Sequence, residues 1–144
     1  MPGFDLERFV TAQAPVWPAV RAELQAGRKA THWMWFVFPQ LSVLGRSGMA
    51  RHYGLSGLDE ARAYLAHSVL GSRLRECCGM LLQLQGPGAV EIFGSIDAMK
   101  LRSCLTLFML ASPDEAVFRD CLRKFYDGQA DPLTMDEVAR QEHA

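Results

Sequence analysis

The sequence predicts a mainly α fold: one compact helical domain, with room for one short hairpin. Three observations carry this. Apolar residues recur at helical spacing, as in Leu70, Leu74, Cys77, Cys78, Leu81 and Leu82. Helix start and stop signals punctuate the chain, whereas strand signals are weak. And 144 residues, 49 % apolar and 22 % charged, suffice for one domain (residues 1–144) with a proper core.

The elements follow in order. Asp5 is placed to cap a first helix, with Phe4 and Phe9 spaced as a hydrophobic staple. Pro15 and Pro18 break the pattern before a second helix over 19–26, which Gly27 stops. The run Arg28 to Leu41 fits either a short strand or a buried helical piece. Neither Trp33, Trp35 and Val37 nor Met34, Phe36 and Phe38 makes a polar face, so periodicity does not decide between them. Pro39 ends the run, and Gly45 and Gly48 mark a loop. A helix over 56–67 turns Leu58, Ala61 and Leu65 inward, and Ser68 is placed to cap the next, over 69–84. Gln85-Gly86-Pro87-Gly88 is a loop, and 89–93 is too short to assign. Ser95 caps a helix through Ala111 that is apolar nearly all round and therefore central. Ser112, Pro113 and Glu115 stand as N-cap, N1 and N3 of another, with Phe118, Cys121, Leu122 and Phe125 as its buried stripe and Gly128 at its end. Thr134 with Glu137 opens a last short helix.

Composition excludes several classes. The net charge of -1 gives no overall pull toward nucleic acid or an acidic membrane. Between Arg21 and Arg75, eight basic residues face only Glu23, Asp59 and Glu60, while the chain past Ser112 is acidic. A locally positive face of this kind suits a small anion better than a polyanion. The longest apolar stretch, Leu101 to Ala111, is interrupted by Arg102, Ser103 and Thr106 and falls short of a membrane span. The N-terminus lacks the pattern of a signal peptide, and Cys77, Cys78, Cys104 and Cys121 sit in apolar helical patterns without a Cys-x-x-Cys pair. Reduced core thiols in a cytoplasmic protein are expected, with no metal site.

The most informative stretch is Arg28-Lys29-Ala30-Thr31-His32-Trp33-Met34-Trp35-Phe36-Val37-Phe38-Pro39-Gln40-Leu41. It sets two tryptophans and two phenylalanines within six residues, directly after a basic pair and a histidine. Aromatic rings offer large stacking area at small entropic cost, and the cationic and amide side chains beside them suit an anion or a polar edge.

This run carries a family resemblance. With Phe4-Asp5-Leu6-Glu7-Arg8-Phe9-Val10, Glu60-Ala61-Arg62-Ala63-Tyr64-Leu65-Ala66-His67, Val69-Leu70-Gly71, Ile92-Phe93-Gly94, Lys100-Leu101-Arg102-Ser103 and Phe125-Tyr126-Asp127-Gly128, it resembles the DUF1810 family of small, mostly bacterial proteins. The likeness runs from Phe4 to about Thr134. It implies a compact, largely helical domain and brings no activity with it. The word calpastatin is sometimes attached to the family, but calpastatins are long and disordered, and this composition is that of a folded chain. The chain departs from the family at Ser68, commonly proline, and at Cys104-Leu105, commonly serine-methionine, so no mechanism here uses a hydroxyl at 104.

The expected ligand is small, anionic and partly planar, nucleotide-like, stacked on Trp33 and Trp35. Arg28, Lys29, His32, Gln40 and Arg102 would supply polar contacts, and Lys100 and Ser103 would project into the same pocket. Each residue has a packing alternative. The aromatics fill a core, His32 bonds to backbone, and Arg102 caps carbonyls or pairs with a carboxylate such as Asp127. Two other functions stay open: a hydrolytic enzyme using His32 or Asp127 in proton transfer, and a protein-interaction module using the aromatic surface. No Gly-x-Ser-x-Gly elbow, phosphate loop or cofactor motif is present, and near-neutral charge disfavours single-stranded RNA. Oligomeric state is not legible.

Overall fold

A computed structural model describes residues 3–143. It contains ten α-helices and one 3-10 turn. Among the described residues the only β pairing is an isolated parallel bridge between Leu41 and Leu55. The class is mainly α.

Helix α8 (Ser95–Ala111) is the axis of the fold. Leu101, Cys104, Leu105, Leu107 and Phe108 on it are all fully buried. Around it pack α5 (Leu58–Ala66), α7 (Ala89–Phe93), α9 (Ala116–Tyr126) and α10 (Pro132–Glu142). A helix that meets neighbours on most of its circumference has no polar face to show, which is why its sequence is apolar nearly all round. Helix α6 (Leu70–Gln83) turns its stripe of Leu70, Leu74, Cys77, Cys78 and Leu81 toward α5, α9 and α2 (Trp17–Ala26). All four cysteines are buried free thiols. Burial raises the Cys77 and Cys104 pKa values far above the ordinary thiol range, as befits inert core residues.

Helix ends depart most from expectation, because long-range partners claim the capping groups. Asp5 does not cap α1 (Glu7–Gln13), whose N-cap is Leu6. Arg8 organises this end instead, donating to the His52 carbonyl at 3.0 Å, the Gly54 carbonyl at 2.9 Å and Glu60 at 3.2 Å. Phe4 is exposed, so no staple forms, and Phe9 packs edge-on to Tyr64 in the core. Ser112 Oγ does donate to Glu115, at 2.8 Å. Glu115 is also held by Arg75 through two bonds of 2.6 and 3.0 Å, and α9 starts only at Ala116. Ser68 is not the cap of α6. Its N-cap is Val69, which has no side-chain capping bond; His67, just before it, accepts through Nδ1 from the backbone N–H of Val69 and Leu70 at 3.1 and 3.3 Å. Helix α10 is capped by Asp131, which accepts from the Thr134 backbone N–H. Gly27, by contrast, stops α2 as expected, with φ 73°.

Candidate binding cleft

The cleft is positioned by the turn after α2. The left-handed Gly27 reverses the chain, so that residues 28–33 run back over the last turns of α2. Glu23 there receives four hydrogen bonds: from the backbone N–H of Ala30 (2.7 Å) and Thr31 (3.0 Å), Thr31 Oγ1 (2.6 Å) and Trp33 Nε1 (3.0 Å). Partial burial raises the Glu23 pKa, but these donors outweigh it and hold the carboxyl down at about 2. Lys29 is fixed in turn by its backbone bond to the Ile92 carbonyl at 2.8 Å.

The aromatic run then makes a single helical turn, α3 (Met34–Val37). One turn is enough to sort its side chains by direction. Trp33 and Phe38 face α7, where both meet Phe93 with centroids 6.4 and 5.9 Å away. Phe36 points oppositely and packs on Tyr53. Its carbonyl accepts from the buried Gln13 amide at 2.6 Å; Gln13 also bonds Tyr64 and accepts from Arg73. Nothing in the residue type or spacing of Gln13 had marked it as a buried anchor.

Trp35 takes the remaining direction. It is half-buried and, with Met34, Phe38, Gln40, Ala50 and Lys100, lines a cleft between α3, the start of α8 and α4 (Gly48–His52). The enclosed space is about 10 Å³, the size of one water molecule. Trp35 Nε1 is buried and finds no acceptor among the described residues. The Lys100 ammonium lies 5.6 Å from the centroid of the Trp35 ring. Asp97, one turn earlier on α8, accepts Lys29 at 3.0 Å and meets Lys100 at 3.9 Å. The (97,100) spacing was readable on a helix; the arrival of Lys29 was not. Lys29 also stands 5.1 Å from the Trp33 ring.

Of the residues expected at a site, the fold therefore brings Trp35, Gln40 and Lys100 together, with Lys29 behind them through Asp97. The others lie elsewhere. Trp33 is fully buried and has no free face for stacking. Arg102 donates to the carbonyls of Gln129 (2.8 Å) and Ala130 (2.9 Å), the capping alternative, rather than to Asp127. Ser103 Oγ bonds the Met99 carbonyl and Asp131, and Thr106 Oγ1 accepts from the Asp131 N–H, so this part of α8 anchors the start of α10. Arg28 and His32 are exposed and do not line the cleft. Asp127 is the exposed left-handed C-cap of α9. Met34, Phe38 and Ala50 complete the lining, and nothing in their residue types had marked them.

The profile of the DUF1810 family, described as a protein of unknown function, matches residues 3–138. The chain belongs to that family. It is similar to the conserved hypothetical protein Rv1873 from Mycobacterium tuberculosis, whose crystal structure shares 53 % identity with it at a TM-score of 0.93. The match covers 94 % of this chain and 97 % of that one. No curated protein matches. No helix among the described residues is long and apolar enough to cross a membrane.

Proposed function

We propose that the protein binds a small anionic ligand at the Trp35–Lys100 cleft, the anionic group accepting from the indole N–H and the ammonium. The observation that carries this reading is the buried Trp35 Nε1 without an acceptor. A buried donor left unpaired costs about 1–3 kcal/mol, and such groups in folded proteins are usually satisfied by a partner or by water. Trp35, Gln40 and Lys100 line the same small space, and their side chains carry the kinds of donor that an anionic oxygen would take. The enclosed volume admits one such oxygen and no aromatic ring. A planar, nucleotide-like body would therefore rest across the mouth on the exposed part of Trp35, instead of between two indoles. Neither His32 nor Asp127 adjoins the cleft, so proton transfer by these residues is not part of the proposal.

The reading is tested by nitrogen-15 NMR of the three tryptophan indole resonances during titration with a panel of small anions, nucleotides included. The Trp35 resonance, assigned with Trp35→Phe, is expected to move while that of Trp33 stays. No movement with any anion sinks the reading. A second reading, docking of a partner protein, draws on Ile96 and Met99, which are 70 % and 72 % exposed on the α8 turn that carries Lys100. It predicts a partner whose binding is lost in Met99→Glu.

A further inference from the structure

We infer that the anionic group this cleft takes is a singly charged carboxylate and not a phosphate; this rests on the binding role proposed for Trp35 and Lys100. Charge is the first ground. Lys29 and Lys100 share one carboxylate, Asp97, so the three side chains sum to one positive charge. Lys29, with its side chain 8 % exposed, makes the close contact of 3.0 Å and is committed inward. Lys100, with its side chain 26 % exposed, stands off at 3.9 Å, beyond hydrogen-bond length, and keeps its donors for the cleft. A monoanion neutralises the group. A phosphate dianion leaves a net negative charge beside Asp97 in a partly desolvated site, where like charges disfavour each other.

Donor geometry is the second ground. The lining side chains with polar groups are Trp35, Lys100 and Gln40, which carry an indole N–H, an ammonium and one carboxamide. A carboxylate oxygen would accept from such donors while its carbon body stays outside. Lysine meets a phosphate as a point charge, without the arginine fork that engages two of its oxygens at once, and the lining holds no arginine. Space is the third. Room for about one water molecule, walled by Met34, Phe38 and Ala50, takes a single oxygen while the carbon body stays at the mouth. A free small carboxylic acid and the C-terminal carboxylate of a peptide present the same group.

The test follows the Trp35 indole resonance at pH 7 while propionate, inorganic phosphate, N-acetyl-trialanine and its C-terminal amide are titrated into separate samples. Both carboxylates are expected to shift the resonance, with phosphate at least roughly tenfold weaker and the amide silent. Lys100→Gln should weaken propionate by about tenfold, the scale of one charge-assisted bond. Asp97→Asn, which raises the site by one charge, should narrow the gap between phosphate and propionate. The peptide binding more tightly than propionate supports a peptide source, and equal affinities support a free acid. Phosphate binding as well as or better than propionate in the wild type overturns the carboxylate inference but leaves the cleft as a site. A Trp35 resonance unmoved by every probe overturns both, and the space then holds water.

Discussion

The indole N–H of Trp33 donates to the carboxylate of Glu23 at 3.0 Å, across ten residues of sequence. This bond closes the turn around Gly27 and fixes where the aromatic run begins. Trp33 is thereby part of the framework, while Trp35, two residues on, lines the cleft with its own N–H free of protein acceptors.

Glu23 makes stability depend on acid. Its pKa is depressed from 4.5 to about 2, so its contribution is fully present above about 4.5 and is lost as pH falls through about 2. The carboxylate is partly solvated, and screening keeps the effect modest. Urea midpoints measured from pH 5 to 2 should fall less steeply for Glu23→Gln than for the wild type. Parallel curves would remove Glu23 as a source of acid sensitivity.

His67 Nδ1 accepts from the backbone N–H of Val69 and Leu70, where α6 begins. His67→Ala should cost about 1 kcal/mol, the usual net worth of a side-chain-to-backbone bond, and His67→Asn should recover most of it because its amide oxygen can accept from the same N–H groups. Chemical denaturation of the two variants checks this; equal losses would mean that the imidazole matters for packing rather than for its acceptor nitrogen.

Gly71 lies where α6 crosses the end of α5. A Cβ there would sit 2.1 Å from the Leu65 carbonyl oxygen, a backbone atom that does not yield cheaply. Gly71→Ala should destabilise by about 3 kcal/mol or more, among the larger single-site effects. A thermal midpoint close to that of the wild type would show that the crossing relaxes.

The regular parts of this fold were legible in the sequence for simple physical reasons. The α6 stripe and the all-round apolarity of α8 are periodic signals, and Gly27 carries its own backbone preference. What stayed illegible was set by partners distant in sequence. The Ser112–Glu115 box looks like a helix start until Arg75, forty residues earlier, takes the carboxylate. Asp5 loses its capping role to the Arg8 network with residues 52, 54 and 60. In the aromatic run, a helical turn swings each side chain by about 100°, so neighbours with like chemistry have opposite fates. Residue type alone put Trp33 and Trp35 together at a site, and Arg102 and Ser103 with them. Only the fold separates the framework tryptophan from the cleft tryptophan and engages Arg102 and Ser103 in anchoring α10.

That separation is tested most directly by the unfolding free energies of Trp33→Phe and Trp35→Phe, measured side by side. Trp33→Phe gives up a fully buried indole and its bond to Glu23 and should cost about 2–4 kcal/mol. Trp35→Phe deletes a buried donor that has no protein acceptor and should lie within about 1 kcal/mol of the wild type, on either side. The reverse order, with Trp35→Phe the more damaging, would contradict the assignment of Trp33 to the framework and Trp35 to the site.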